Sequence, residues 1–160
     1  MLSVTLIAVG KLKEKFYLAA AEEYAKRLAG YCKFSLIELP EQRLPDDPSP
    51  AQIAVGLAAE AALIEAKLPK NAWFCVFTPE GQTLSSEAFA RKLAQVKNEG
   101  KSSLCFLIGS SFGIDPRIKA MASFRLSFGP MIFPHHLVRV MALEQLYRAE
   151  TIQAGTKYHK

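Results

Sequence analysis

The sequence has few of the residues that metal, disulfide and membrane chemistry need. Its 160 residues hold three cysteines, Cys32, Cys75 and Cys105, and three histidines, His135, His136 and His159. The cysteines are odd in number and widely spaced, with no zinc-site spacing among them. Cys75 and Cys105 sit inside apolar runs, where a thiol behaves as a small buried hydrophobe. A reducing cytoplasm suits that usage. His135 and His136 are adjacent, so on a helix they point about 100° apart. No acidic residue follows them before Glu144. They do not form a metal pair, and no metal is expected. No apolar run approaches the roughly 20 residues that span a bilayer, so no membrane partner is expected. The first nine residues carry no basic n-region or cleavage signal and read as a strand. Gly109-Ser110-Ser111-Phe112-Gly113 is neither G-x-G-x-x-G nor a loop followed by Lys-Ser/Thr. It therefore supports neither a dinucleotide fingerprint nor a P-loop. No internal repeat or low-complexity segment is present.

What remains is an ordinary globular composition: 50% apolar and 22% charged. The length suits a single domain over residues 1–160 with a substantial core. The net charge of +5 is unevenly placed. Residues 1–114 hold 13 basic and 12 acidic side chains, whereas residues 115–160 hold seven basic and three acidic. Such asymmetry favours a polyanionic partner; a solvated C-terminal face is the other reading.

Along the chain, Leu2 to Val9 is β-rich and nearly all apolar, as a central parallel strand should be. A helix follows from about residue 14 to Leu28, with Phe16, Ala20, Tyr24 and Leu28 proposed as its apolar face. Lys11, Lys13 and Lys15 either contact phosphate or form a solvated face. Phe34 to Leu39 is a second strand, and Pro40 to Pro50 a proline-rich loop. Ala51 to Leu68 is helical. Trp73 to Phe77 is a third strand, and Thr78 to Gln82 a turn. A helix capped by Ser85 or Ser86 runs to about Asn98. Ser103 to Ile108 is a fourth strand, and Asp115-Pro116 opens a short helix. Phe124 to Phe128 is a fifth strand, and the last helix runs from Pro134 to about Ile152. Strands apolar on both faces, alternating with helices, imply an α/β fold: a mostly parallel sheet with helices on both faces. Ligands bind beyond the C-terminal ends of such strands. That rule selects Phe77 to Gly81, Gly109 to Gly113 and Phe128 to Phe133.

The stretch from Leu126 to Arg148 is the most informative. Pro134 suits a first helical turn. Arg139 follows His135 by four residues on the same helix face, a combination suited to anion or RNA contact. Leu137, Val140, Met141 and Ala142 read as core. Glu144 and Arg148 can pair with each other. The terminus Tyr158-His159-Lys160 is aromatic and cationic.

The run Met131-x-Phe-Pro-His-x-Leu-Val-Arg-Val-x-x-x-Glu-Gln-Leu-Tyr-Arg-Ala149, with the terminal Tyr158-His-Lys160, resembles the bacterial ribosomal RNA large subunit methyltransferase H family. Ala8-Val-Gly-Lys-Leu-Lys-Glu-Lys15 and Leu107-Ile-Gly109 resemble it too, so the likeness spans essentially the whole chain. It implies a SPOUT-class fold with a C-terminal trefoil knot and a homodimer. It also implies S-adenosylmethionine as methyl donor and methylation of the position-3 nitrogen of a pseudouridine in 23S ribosomal RNA, on the assembled ribosome. The cofactor positions it implies are Phe77, Gly109, Phe128, Gly129, Pro130, Met131, Ile132 and Phe133. The catalytic residues it implies are His159, Arg139 and Tyr158. His159 assists proton removal or orients the base, Arg139 holds phosphate or the developing anion, and Tyr158 stacks on an unstacked base. His135, Arg139 and Lys160 are its expected RNA contacts. The chain departs from the usual pattern at Phe77 (Leu is usual), at Gly109-Ser110 (Gly-Gly), and at Gly129-Pro130 and Ile132 (Ser, a variable residue and Thr). These departures motivate an alternative, a non-catalytic RNA-binding relative. A small-molecule nucleotide-binding protein is a third reading, disfavoured by the missing phosphate motifs.

Overall fold

The computed structural model describes all of residues 1–160. Its elements follow in the order β1 (Ser3–Val9), α1 (Lys15–Leu28), β2 (Lys33–Leu39), α2 (Pro50–Lys67), β3 (Trp73–Thr83), α3 (Ser86–Asn98), β4 (Ser103–Ile108), α4 (Pro116–Met121), β5 (Phe124–Ser127) and α5 (His135–Ala154). The five strands form one sheet in the order β2-β1-β4-β3-β5, and every pairing is parallel. The α/β reading thus holds. β1, β4 and the first half of β3 are buried on both faces, which is why they read as continuous apolar runs. β2 lies at an edge and is mostly exposed, Leu36 included.

Two cores flank the sheet. One packs α1, α3 and α5 on the face carrying Leu6, Cys75 and Phe106. The other packs α2 and α4 on the face carrying Ile7, Val76 and Leu107. Alternate residues of each central strand serve alternate cores, as the period of two requires. All three cysteines are free and buried. Ser85 caps α3 by accepting from Ala88 N–H, and Asp115 caps α4 by accepting from Arg117 N–H.

Several local expectations need correction. Phe16 is 67% exposed. Tyr24 and Leu28 meet the core as expected, but in the first half of α1 the core side is carried by Tyr17 and Ala21 in place of Phe16 and Ala20. In α5, Ala142 is buried, but Leu137, Val140 and Met141 are only half-buried; Leu143, Leu146 and Ala149 complete the core side. α2 starts at Pro50, because Ser49 and Gln52 form a capping box: Ser49 Oγ accepts from Gln52 N–H, and Gln52 Oε1 accepts from Ser49 N–H. Pro134 is the N-cap of α5 and not its first helical residue.

Thr78 to Gln82, expected as a turn, belongs to an interrupted β3. The strand pairs with β5 up to Phe77↔Leu126, bulges, and resumes at Gln82↔Leu126. Gly81 sits where the two backbones touch. A Cβ there would stand 2.8 Å from the carbonyl carbon and oxygen of Arg125. Backbone on both sides leaves nothing flexible to yield. Gly81→Ala is therefore expected to destabilise the protein by about 1–3 kcal/mol, the range of overpacking strain, read as a lowered midpoint in urea denaturation.

Candidate active site

Three loops meet above the C-terminal ends of β3, β4 and β5. They enclose a cleft of about 700 Å³, lined by Phe77 to Glu80, Ile108 to Ile114, Leu126, Phe128, Gly129, and Met131 to His135, with Lys119 and Val138 from the flanking helices. The size and largely apolar lining are those of a small-molecule site. Of the residues expected to hold a cofactor, Phe77, Gly109, Phe128, Gly129, Met131, Ile132 and Phe133 line the cleft. Pro130 is exposed and does not. Phe77 and Phe128 stack with ring centroids 5.3 Å apart and form one wall.

Gly109 makes the loop possible. A Cβ on it would stand 2.4 Å from Gly113 O and 2.5 Å from Ile114 Cγ1, because residues 110–113 fold back over it. Ser110 bridges to Gly113 across that turn. The Ser110 hydroxyl donates to Glu60 Oε1 at 2.8 Å, and Gln42 N–H donates to Glu60 Oε2 at 2.9 Å. Burial raises the Glu60 carboxyl above its ordinary range. Beside it, Glu41 Oε1 accepts from the Ser111 hydroxyl at 2.6 Å and from Ser111 N–H at 3.2 Å. Glu41 on the loop after β2 and Glu60 on α2 thus clamp the cleft loop. On the opposite side, Ser127 Oγ donates to Pro79 O at 2.8 Å and accepts from Gly129 N–H at 2.9 Å, tying β5 to the β3 bulge.

Arg139 is not free to meet RNA. It is 2% exposed. Its Nη1 pairs with Glu38 of β2 at 2.5 Å, and its Nη2 donates to Gly10 O at 2.7 Å. The spacing from His135 puts both side chains on one helix face, as expected, but that face turns inward. His135 is half-buried at the cleft.

The tail lies elsewhere. Tyr158, His159 and Lys160 do not line the cleft. They dock on the α3–α5 side, held by Arg148, which sequence reading treated only as a helix pair of Glu144. Arg148 Nε and Nη2 reach Glu144 Oε1 at 2.9 and 2.7 Å. Its Nη1 lies 3.0 Å from His159 Nδ1, and its guanidinium sits 4.8 Å from the centre of the Tyr158 ring. Arginine only donates, so His159 Nδ1 accepts. The ring proton is then on Nε2, which faces Glu87 Oε1 at 2.8 Å. Both nitrogens of His159 are engaged. Tyr158 donates its hydroxyl to Glu144 Oε1 at 3.1 Å. Lys160 is exposed and makes no ion pair.

A parallel sheet with a cleft beyond β3, β4 and β5 and a terminal helix returning over α1 and α3 has counterparts among known proteins. The family model described as "Predicted SPOUT methyltransferase" matches residues 2–159. The chain belongs to the SPOUT methyltransferase family, and the protein is a methyltransferase. Among its relatives, the "Ribosomal RNA large subunit methyltransferase H" of Moorella thermoacetica is 42% identical over 160 residues, covering 100% of both chains. The protein of the same name from Leuconostoc citreum is 40% identical, covering 99% of this chain and 100% of its own. Among solved structures, a probable methyltransferase from Bordetella pertussis Tohama I superposes with a TM-score of 0.57 at 15% identity, covering 92% of this chain and 95% of its own. A tRNA methyltransferase from Aquifex aeolicus gives 0.55 at 13% identity, covering 98% and 73%. These two share the fold.

Burial first, and then the Glu144 carboxylate, push the Tyr158 phenol up to about 12. Spectrophotometric titration, with Tyr158→Phe as the difference reference, should show one tyrosine ionising near that value. Glu144→Gln removes the neighbouring negative charge and should bring this tyrosine down towards 10, while leaving it raised by burial.

Proposed function

We propose that this methyltransferase uses S-adenosylmethionine to methylate the position-3 nitrogen of a pseudouridine in 23S ribosomal RNA. It acts on the assembled ribosome in the bacterial cytoplasm, as a homodimer. The observation that carries this reading is the full-length correspondence to relatives named as ribosomal RNA large subunit methyltransferases. The C-terminal trefoil knot belongs to the same reading. It is supported by β5 lying beyond β3 at the far edge while α5 returns over α1 and α3, and by the backbone contact at Gly81.

The cleft suits a methyl donor with an apolar adenine and an extended tail. The Phe77–Phe128 wall and the loops 109–113 and 129–133 would hold it, offering backbone groups and aromatic faces. A sulfonium donor supplies an already activated methyl group, so the residues' task is placement. Holding an imide nitrogen in line with the methyl carbon can supply much of the barrier reduction. Met131 and Ile132, 75% and 79% exposed, form an apolar lip over which an unstacked base can enter.

In this reading a second chain completes the site. Lys119, the cation at the cleft, is already paired with Glu80 at 2.5 Å. The tail docks on Glu144, Arg148 and Glu87, outside the cleft lining. A second copy would bring its tail to this cleft: Lys160 to phosphate, Tyr158 to stack on a base, and His159 to orient it. Arg148 shapes that tail before it is presented.

Labelled methyl transferred to ribosomes lacking the modification, followed by nucleoside analysis, should yield a methylated pseudouridine. Transfer to another nucleoside would refute the substrate. A chain carrying Gly109→Val and a chain truncated after Lys157 should each be inactive alone. Coexpressed, they should regain activity, because each mixed dimer has one intact cleft facing one intact tail. Failure to complement would refute the shared site.

A further inference from the structure

Behind the cleft lies a histidine–carboxylate pair that the function above does not use. His135 Nε2 is buried and is the one buried side-chain polar atom in the protein without a hydrogen-bond partner. Glu41 Oε2 stands 3.8 Å from it, beyond hydrogen-bond length. The other oxygen of Glu41 is anchored to Ser111. Gly10, with φ of +105°, backs both groups: a Cβ there would lie 3.3 Å from His135 Nε2 and 3.4 Å from Glu41 Oε2. The Gly10 carbonyl is held in turn by Arg139. The pair therefore sits in a pocket shaped on three sides.

An orphaned buried donor is costly, and a carboxylate is its strongest acceptor. A small rotation of Glu41 about its Ser111 anchor closes the gap. The ring proton then sits on Nε2 towards Glu41, and the lone pair sits on Nδ1 at the other edge. Nδ1 has no partner within the protein, and the residue lines the cleft. Resting on the methyltransferase reading, we propose that His135 accepts the imide proton of the target base, and that Glu41 is the positioning residue that fixes its tautomer. As the bond from imide nitrogen to methyl carbon forms, the methyl–sulfur bond breaks and its electron pair stays on the departing sulfur. The imide proton passes to His135 Nδ1 and then to water. Burial and the neighbouring His136 hold the His135 pKa below its ordinary value of 6.5, so the ring is neutral and able to accept at pH 7. The charged or titratable groups facing it are Glu41, Glu14 ahead of α1, and His136 and Arg139 on α5.

Two readouts test this. In the free protein, nitrogen NMR should report His135 as the Nε2–H tautomer, with a titration midpoint below 6.5. Glu41→Gln keeps an oxygen for Ser111 but turns an amide N–H towards Nε2, and should switch the ring to the Nδ1–H tautomer. In single turnover with saturating S-adenosylmethionine, His135→Asn should lose about 100-fold or more in rate, the usual worth of a general base. Glu41→Gln should also slow. Saturating S-adenosylmethionine keeps any change in its affinity out of these rates, and a thermal midpoint close to the wild-type value in circular dichroism reports that both variants fold. An undiminished rate in His135→Asn, or an unswitched tautomer in Glu41→Gln, would overturn this role while leaving the methyltransferase function standing. Wild-type protein that binds S-adenosylmethionine yet methylates no ribosome would overturn both.

Discussion

The buried guanidinium of Arg139 is the contact on which the cleft side of the molecule depends. α5 lies against the sheet between α1 and α3, so a charged side chain on its inner face must find partners there or leave a charge uncompensated at a cost of several kcal/mol. Two partners are within reach: the carbonyl of Gly10 at the end of β1, and Glu38 on the edge strand β2. Meeting both fixes α5 in rotation and height against the C-terminal ends of two neighbouring strands. One turn earlier on the same helix, His135 is thereby set against Gly10, and Val138 against the cleft. A buried ion pair adds little net stability against an apolar alternative. Here its value is registry: it sets where a helix start stands relative to a ligand cleft.

The same helix has a second task at its other end. Leu143, Leu146 and Ala149 pack into the core, while Glu144 and Arg148 on the adjoining face gather Tyr158 and His159. Gly155, in the left-handed conformation at φ +71°, stops the helix and turns the chain back towards that face. One element therefore positions the cleft at its start and gathers the tail around Glu144 and Arg148 further along. From His135 to Glu144 the helix advances nine residues, about 14 Å along its axis, so the docked tail stands beside the middle of α5 and outside the cleft lining.

Much of this was legible in the sequence, for a physical reason. Central parallel strands are buried on both faces and stand out as short apolar runs, and ligand loops follow their C-terminal ends. That rule alone picked out Phe77 to Gly81, Gly109 to Gly113 and Phe128 to Phe133, which converge in the fold. What was not legible depends on which way a face turns. The four-residue step from His135 to Arg139 gives a shared face but not its direction. Likewise Phe16 and Tyr17 differ by one position, and only packing decides which is buried. Long-range partners were invisible. Glu41 meets Ser111 across 70 residues, and Glu60 meets Ser110 across 50. Nothing local marks these carboxylates as different from solvated ones. The Gly109-Ser110 departure is intelligible only with Glu60 in place, since the extra hydroxyl is taken up by that carboxylate.

Charge placement shows the same difference between sequence and structure. The basic excess after residue 115 suggests a broad cationic face, yet four of its seven cations are spent on carboxylates. Arg117 pairs with Glu65, Lys119 with Glu80, Arg139 with Glu38 and Arg148 with Glu144. Arg125, Lys157 and Lys160 remain, all exposed. Other free cations near the cleft end of the sheet are Lys11 and Lys13 on the turn after β1, Lys15 at the start of α1, and Arg43 on the loop after β2. A polyanion grips unpaired cations, because a lysine already neutralised by a carboxylate releases few counterions. The unpaired charge of one chain is therefore split between the segments that follow β1 and β2 and the C-terminal part of the chain. In the proposed dimer, a second chain's tail laid beside the first chain's β1 turn would join these charges into one surface around the cleft.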